Sequence, residues 1–316
     1  MAVYTQVSTS EIAALTARLG LGRAVVFDGV AEGVENSTFF LTCEQASGIR
    51  TEYVLTIAET VSAVDLRFVV DLMVYLKSQQ VPVAAPLLDT AGNGVFTVGQ
   101  KPALVVPRLA GKSPNSPGST ECSAIGSALG RMHGASLAYG LNHQSHRSLG
   151  WVFATATLLK PCLHRLDEIL LSEEVNHALT LVNTNSNLPQ AVIHGDLFKD
   201  NALFLKDKIS GIIDFFSAGT GFLMLDLAIV VNDWTYDAVH LKTLVSSYSA
   251  HRSPTSDEKE FFHSFLRLAA LRFWISRLAE KHLSDGNRPR GVGKNPDEYR
   301  NLLLERRDRP CFWPLH

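Results

Sequence analysis

The sequence has little cysteine, no dense basic segment and no long apolar run, and each absence argues against a class of protein. Its 316 residues include four cysteines, which are Cys43, Cys122, Cys162 and Cys311. They lie far apart without CxxC spacing, so neither a zinc site nor a disulfide framework is expected, and reduced thiols in a cytosol fit best. The formal charge of −2 leaves no basic face for nucleic acid.

Secretion and membrane insertion are also not expected from this sequence. The opening residues, MAVYTQVSTSEIAAL, have neither the basic start nor the apolar core of a signal peptide. No later stretch of about 18 uncharged apolar residues offers a membrane span. We therefore expect a soluble cytoplasmic protein with no membrane partner. Apolar residues make up 46% of the chain, enough for the cores of two lobes.

The strongest functional signal is the run AVIHGDLFKDNALFLKDKISGIIDFF at residues 191–216. A short apolar run leads to Asp196 at the mouth of a loop, and Asn201 follows. Two more apolar runs, separated by a polar turn, end at Asp214. This pattern predicts a hairpin that carries Asn201 and Asp214 side by side. The catalytic loop of protein kinases spaces an Asp and an Asn in the same way.

Phosphoryl transfer to an alcohol explains why these residue types are needed. The protein must position two reactants and neutralise phosphate charge with metal ions. Mg²⁺ prefers hard oxygen ligands and keeps several waters, so Asn201 and Asp214 together with nucleotide phosphates suit it. Asp196 is then the predicted base. Each residue alone would also suit a turn or a strand end, so the ordered set carries the prediction.

The segment HGDLFKDN followed by IIDF resembles the signature of the aminoglycoside phosphotransferase and choline kinase superfamily, whose fold is protein-kinase-like. Gly195 stands where ordinary protein kinases have an arginine. Three further segments resemble the bacterial homoserine kinases of that superfamily, namely GVAEGVENSTFFL (29–41), LDLAIVVNDW (225–234) and LRFWISRLAEKH (271–282). The similarity runs over nearly the whole chain. It implies ATP and Mg²⁺ as cofactors, and L-homoserine as the small-molecule substrate, converted to O-phospho-L-homoserine for threonine biosynthesis.

Two alternatives to homoserine phosphorylation stay open. The same superfamily also phosphorylates choline, methylthioribose and aminoglycosides, although a C-lobe that is not markedly acidic favours a zwitterion over a polycation. A non-catalytic ATP-binding module is the second alternative, because Thr56 stands where kinases usually carry a phosphate-binding lysine. The intact Asp196, Asn201 and Asp214 argue against it. Candidates for a replacement cation are Arg50, Arg67 and Lys77.

The resemblance implies an α+β, two-lobed protein-kinase-like fold, with a nucleotide-holding N-lobe over residues 1–108 and a catalytic, acceptor-binding C-lobe over residues 109–316. The sequence pattern agrees with it. Three β-rich runs over 23–59, a helix from Asp65, and β-rich runs near 85–88 and 101–107 predict a small antiparallel sheet with one helix. The Gly/Pro/Ser-rich segment 108–119 predicts the boundary. Helices are expected over 120–139, 151–170, 173–182 and 223–283.

The nucleotide is expected to bind in the N-lobe. The loop at residues 29–37 would cover the triphosphate with backbone amides and small polar side chains, although an ordinary hairpin turn also explains its glycines. The predicted nucleotide-binding residues are Gly33, Asn36, Ser37, Thr38, Thr56, Val106 and Arg108.

His194 resembles the kinase histidine that buttresses the catalytic loop, so its predicted role is support. Asp226 suits either a helix cap or, as in the superfamily, a brace for that loop. The acceptor site must bind the carboxylate and ammonium groups of an amino acid. Candidates for it are Asn232, Asp233, Trp234 and Arg272. The alternative is that Trp234 lies in the core and the arginines reach the surface. The sequence leaves the oligomeric state open.

Overall fold

The computed structural model describes residues 4–30, 35–283 and 294–314. The chain divides into two compact units. The first comprises Met1–Lys112, Leu203–Leu205 and Ser210–Phe216, and the second comprises Ser113–Ala202, Lys206–Ile209 and Ser217–His316. Part of the catalytic segment therefore belongs to the first unit. The functional roles assigned to lobes 1–108 and 109–316 stay predictions.

The first unit is built on an antiparallel sheet of five strands, in the order β1-β2-β3-β5-β4. The strands are β1 (Arg23–Gly29), β2 (Ser37–Glu44), β3 (Arg50–Ile57), β4 (Phe96–Val98) and β5 (Lys101–Pro107). Alternate residues of β2 are buried, as expected for a strand with one face on a core. That face contributes Phe39, Leu41 and Leu55 to a cluster with Ile12 and Leu15.

Two helices complete this unit, α1 (Thr9–Arg18) and α2 (Ala63–Ser78). The hydroxyl of Ser8 and the side chain of Glu11 form a capping box that fixes the start of α1. Ser62 caps α2, and the apolar residues predicted for its inner face, from Leu66 to Leu76, are buried. Helical spacing therefore predicted this element correctly.

The strand predicted near residues 85–88 is wrong. That stretch carries no regular strand, and the fourth strand of the sheet is β4 instead. Pro82 and Pro86 lie on either side of the apolar residues 83–85, and Pro86 falls within the predicted strand. Because proline has no backbone N–H and has a fixed φ, it disfavours a continuous ladder of hydrogen bonds.

The second unit is mainly helical. Its helices are α3 (Ser119–Tyr139), α4 (Leu149–Leu159), α5 (Arg165–Thr184), α6 (Leu223–Trp234), α7 (Ala238–Ser249), α8 (Ser256–Glu260), α9 (Phe262–His282) and α10 (Pro296–Asp308). The single helix predicted over 151–170 is wrong, because a short 3-10 turn containing Pro161 separates α4 from α5. Within the described ranges, no helix combines the length and the apolar character that a membrane span requires.

Two short ribbons carry the catalytic segment. β6 (Gln190–Ile193) pairs antiparallel with β9 (Gly219–Phe222), while β7 (Ala202–Leu205) pairs with β8 (Lys208–Ile212). The hairpin β7–β8 was predicted, whereas β9 was not. Its sequence, GTGF, has the glycine content of a loop. A Cβ at Gly219 would lie 2.7 Å from the backbone nitrogen of Ser145, so close packing requires glycine there.

Candidate active site

Asp196 follows β6 at a tight turn that depends on glycine. Gly195 has a φ of 75°, in the left-handed region. A Cβ built on it would lie 2.9 Å from the carbonyl oxygen of Ser217. This crowding explains why a small residue stands where ordinary protein kinases carry an arginine. The Asp196 side chain beyond the turn is 26% exposed and accessible to a reactant.

Asn201 is tied directly to Asp196. It ends the 3-10 helix Lys199–Asn201 and is 5% exposed. Its Nδ2 donates to the backbone oxygen of Asp196 at 2.8 Å and lies 3.4 Å from Asp196 Oδ2. Because the amide nitrogen is used in this way, Oδ1 is the amide atom that suits a hard cation.

His194 is fully buried and links the catalytic turn to α6. Its Nδ1 accepts a hydrogen bond from the backbone N–H of Asp196 at 3.2 Å. The backbone N–H of His194 donates to Asp226 Oδ2 at 2.8 Å. An accepting Nδ1 places the proton of the neutral ring on Nε2. These contacts are those of a supporting residue, and its effect on catalysis stays a prediction.

Asp226 braces the turn from α6. Its two carboxylate oxygens accept from the backbone N–H groups of His194 and Gly195, both at 2.8 Å. His133 Nε2, on α3, lies 3.1 Å from Oδ2. Burial by itself raises the pKa of Asp226, but the hydrogen bond and charge of His133, together with His194, hold it below its usual value. Asp226 is therefore an ionised acceptor rather than a helix cap.

The brace continues into a buried chain of polar side chains. His133 Nδ1 lies 2.8 Å from the hydroxyl of Tyr248, and Arg252 Nη1 lies 3.4 Å beyond it. Arg252 Nη2 pairs with Glu258 Oε2 at 2.7 Å. The sequence did not predict this chain, since the partners of His133 come from α6 and α7 and no local spacing indicates them.

Arg272 is the acceptor-site candidate that lies beside Asp196. It is 6% exposed on α9, so the interpretation of this arginine as a surface residue is wrong. Its Nη1 lies 4.0 Å from Asp196 Oδ1. Its Nη2 lies 3.8 Å from the Cβ position built on Gly195. A guanidinium so placed can hold an anionic group of a substrate near the reacting hydroxyl.

The other three candidates are engaged in structural contacts. Asp233 Oδ2 accepts from the backbone N–H of Lys199 at 2.6 Å, and burial raises the pKa of Asp233. Asn232 donates to a backbone carbonyl of α9 at 2.8 Å and accepts from Arg306 Nε at 3.0 Å. Trp234 is 0% exposed, as the core interpretation expected. A direct substrate contact by these residues is therefore less well supported than one by Arg272.

A cavity of about 290 Å³ lies in the second unit next to the catalytic turn. Its lining includes Gly195, Ser217, Thr220, Arg147 and Arg272. The sequence offered no signal for it, because its walls come from the loop before α4, the β6–β9 ribbon, the end of α5 and the middle of α9.

Asp214, in the first unit, follows β8 with a φ of 64°. Such a conformation is uncommon for a residue with a side chain and is frequent at functional sites. Its side chain is open to solvent, yet desolvation by the surrounding protein and the charge of Glu35 raise the pKa of Asp214 to about 6. Because desolvation and the charge of Glu35 disfavour the ionised carboxylate, a bound cation would stabilise it, as expected for a metal ligand.

The nucleotide-binding candidates fall into two sets in the first unit. Thr38 and Thr56 are direct partners across β2 and β3, and Val106 pairs with Val54 on the same half-buried face. The guanidinium of Arg108 lies 3.9 Å from the centre of the Phe40 ring, on that face. These side chains form one surface.

Ser37 and Asn36 point elsewhere. Ser37 is 0% exposed, and its hydroxyl accepts from the N–H groups of Tyr4 and Thr5 at 2.8 and 3.0 Å and donates to Glu59. Asn36 Oδ1 accepts from the N–H of Glu59 at 3.3 Å. Ser37 thus fixes the segment before α1 to the sheet, and Asn36 joins the start of β2 to the residues after β3, which favours a structural role for both.

Two further predictions for the nucleotide site concern Gly33 and the cation that would replace the missing lysine. Gly33 lies outside the described residues. Of the replacement cations, Arg50 pairs with Glu44 at 3.0 Å, and Arg67 donates to Asn93 at 3.1 Å. Both arginines thus have structural partners within the first unit.

An antiparallel sheet with few helices, a mainly helical second unit and an Asp–Asn catalytic loop define a phosphotransferase of protein-kinase-like fold. The chain belongs to the phosphotransferase enzyme family, whose sequence pattern matches residues 27–270. The resemblance seen in the HGDLFKDN segment is thereby confirmed.

Two relatives of similar length are homoserine kinases. A homoserine kinase of Pseudomonas aeruginosa (strain LESB58) is 36% identical over 321 aligned residues, which cover 100% of this chain and 99% of the relative. A homoserine kinase of Neisseria meningitidis serogroup B is 35% identical, with 96% and 99% covered.

A solved structure confirms the fold class. The amicoumacin kinase hAmiN, in complex with AMP-PNP, Ca²⁺ and Ami, superposes with a TM-score of 0.72 at 16% identity, covering 95% of this chain and 93% of that one. At this identity the similarity concerns the fold alone. The predicted α+β, protein-kinase-like architecture is correct.

Proposed function

We propose that this chain is an ATP- and Mg²⁺-dependent kinase that phosphorylates the hydroxyl of L-homoserine. The observation that supports this chemistry is the hydrogen bond from Asn201 Nδ2 to the backbone oxygen of Asp196 at 2.8 Å. It joins the predicted metal ligand to the predicted base within one turn. The substrate is supported by full-length similarity to two homoserine kinases at 35–36% identity.

In this proposal Asp196 orients the acceptor hydroxyl and accepts its proton. The hydroxyl oxygen forms a bond to the γ-phosphorus of ATP, the bond from that phosphorus to the β,γ-bridging oxygen breaks, and ADP leaves. His194 Nδ1 accepts from the Asp196 N–H at 3.2 Å, and Asp226 accepts from the N–H groups of His194 and Gly195 at 2.8 Å, so the turn that carries the carboxylate is positioned before the substrate binds.

The metal would be held by Asn201 Oδ1 and Asp214, with the remaining positions filled by phosphate oxygens and water. Both are hard oxygen donors. The pKa of Asp214, raised to about 6, shows that its ionised form is destabilised by desolvation and by the charge of Glu35, and a bound cation would offset this. When bound, Mg²⁺ supplies neutralisation of charge on the transferring phosphoryl group.

We assign the nucleotide to the N-lobe face formed by Thr38, Thr56, Val106 and Arg108. The support is that their side chains share one half-buried face of the sheet. Thr56 offers a hydroxyl rather than a cation, so the phosphates rely more on the metal and on backbone amides. We place the reaction in the cytoplasm, a proposal that the four free cysteines support.

The decisive experiment is Mg²⁺-dependent ADP release from ATP with L-homoserine, beside choline, methylthioribose, kanamycin and L-serine. The Asp196→Asn variant is the blank, because it keeps the shape of the side chain and removes the base. We expect L-homoserine to give the highest kcat/KM and the blank to be inactive. Turnover of another acceptor would keep the chemistry and replace the substrate. ATP binding without turnover of any acceptor would support the non-catalytic alternative.

A further inference from the structure

The cavity beside the catalytic turn is walled on one side by the β6–β9 ribbon, where two glycines leave no side chain. A Cβ on Gly219 would lie 2.7 Å from Ser145 N, and one on Gly221 would lie 2.7 Å from Ile193 Cδ1. The loop before α4 and the ribbon therefore pack at backbone distance. At about 290 Å³, the cavity has the size of a small-metabolite pocket rather than of a macrolide or oligosaccharide site.

The charge of the cavity selects its ligand. Among the described residues that line it, the charged ones are Arg147 and Arg272, and none of the lining residues is acidic. Two guanidinium groups favour an anion and repel a polycation such as an aminoglycoside. The side-chain amides of Gln144 and Gln190, which also line the cavity, offer neutral oxygen acceptors for an ammonium group. This lining matches a small zwitterion whose carboxylate provides the main anchor.

Arg147 is held in place by the loop that carries it. Its backbone N–H donates to Ser145 Oγ at 3.1 Å, and the same hydroxyl donates to the carbonyl of Ser217 at 2.8 Å. The Arg147 guanidinium lies 4.4 Å from the centre of the Trp151 ring. Stacking on an aromatic face restricts the conformations of an arginine side chain. The cation therefore lies on an ordered part of the wall.

Arg272 connects the cavity to the chemistry. It lines the cavity, and its Nη1 lies 4.0 Å from Asp196 Oδ1. In L-homoserine the hydroxyl oxygen lies four bonds from the carboxyl carbon, so a carboxylate bound to this guanidinium would leave the hydroxyl able to extend toward the base.

We infer that this cavity is the acceptor pocket and that it takes a small hydroxy-amino acid through its carboxylate, with Arg147 and Arg272 as the carboxylate partners. The inference rests on the proposed function and deepens it by naming the residues that select the substrate class. Arg147 is a specificity-determining residue in this account, and no local sequence pattern indicated it.

The test compares two acceptors, L-homoserine and its decarboxylated analogue, a primary amino alcohol. The wild type should prefer L-homoserine. Arg147→Gln should raise the KM for L-homoserine about 10- to 100-fold, the range for loss of a hydrogen bond to a charged group, and leave the KM for the analogue and for ATP unchanged. Calorimetric binding of L-homoserine to the inactive Asp196→Asn protein, with and without Arg147→Gln, should show the same loss of affinity.

Arg131→Gln is the matched control, since Arg131 is an exposed arginine of α3 and should change neither KM. Arg272→Lys is a second variant that keeps the buried charge but loses the planar fork, and it should also weaken L-homoserine selectively. The inference is overturned if Arg147→Gln affects both acceptors equally or neither. Failure of the wild type to phosphorylate any carboxylate-bearing acceptor would instead refute the proposed function.

Discussion

His194 shows how one side chain can serve catalysis without touching a substrate. Its Nδ1 accepts from the N–H of Asp196 at 3.2 Å within a fully buried site. His194→Leu leaves that N–H without its acceptor, at a cost of about 1–3 kcal/mol for a buried donor. We expect kcat to fall about 5- to 100-fold while the KM for ATP changes little, measured by steady-state kinetics.

A matched variant separates the hydrogen bond from the loss of bulk. In His194→Asn the amide oxygen takes the approximate position of Nδ1 and can accept from Asp196. We expect this variant to retain most of the activity that His194→Leu loses. Equal losses in the two variants would assign the effect to packing rather than to the hydrogen bond.

The pKa of Asp214 is sensitive to a second residue, Glu35. Desolvation by the surrounding protein first, and the charge of Glu35 second, raise the pKa of Asp214 to about 6. The carboxyl is therefore protonated below about pH 6, where it cannot serve as a metal ligand, and activity should fall as pH decreases through that value. Glu35→Gln removes the repelling charge and lowers this pKa. The acid limb of kcat/KM for MgATP should then shift to lower pH.

Comparison with the wild type cancels the titration of ATP itself, which both proteins share. Glu44→Gln is the control, because Glu44 lies at the far end of β2 and pairs with Arg23 and Arg50. It should leave the acid limb unchanged. A profile of Glu35→Gln that coincides with the wild type would show that the Glu35 charge does not act on Asp214.

At the scale of elements, a buried ion pair between the segment after α7 and helix α8 ends the chain of polar side chains that leads to the catalytic turn. Arg252 and Glu258 have side-chain exposures of 6% and 0% and lie 2.7 Å apart. Removing one partner leaves an uncompensated buried charge, which typically costs about 3–5 kcal/mol. We expect Glu258→Ala to lower the free energy of unfolding by that amount in urea denaturation.

An exposed pair gives the contrast. Glu173 is 54% exposed where it pairs with Arg307 at 2.8 Å. Glu173→Ala should change the free energy of unfolding by less than about 1 kcal/mol, because solvent screens the interaction. Similar losses in Glu258→Ala and Glu173→Ala would contradict the importance of the buried chain.

The same scale shows where local sequence rules hold and where they fail. The β-rich runs predicted β1, β2, β3 and β5, and helical spacing predicted α2. The rules failed where proline interrupted an apolar run, at Pro82 and Pro86 and again at Pro161. They also failed at β9, because a strand built on glycines is defined by its pairing with β6, which no local pattern encodes.

For the whole molecule, nucleotide binding should raise the stability of the folded state. A ligand that binds only the folded state at a concentration of 100 Kd stabilises it by about 2.7 kcal/mol. We expect ATP with Mg²⁺ to raise the Tm of the wild type in differential scanning fluorimetry. Asp214→Asn should lose most of the Mg²⁺-dependent part and keep the fold without ligand. Equal shifts in both proteins would remove Asp214 from the proposed metal site.

By itself, the sequence determined the class of chemistry and most of the regular elements. The ordered set Asp196, Asn201 and Asp214 between apolar runs is a local pattern, and local patterns follow from backbone geometry and side-chain period. Only the tertiary structure decided which side chains support that set. The partners of Asp226, the chain from His133 to Glu258, and the two arginines of the cavity come from segments far apart in sequence. Their proximity is a product of packing, where burial makes each polar contact consequential.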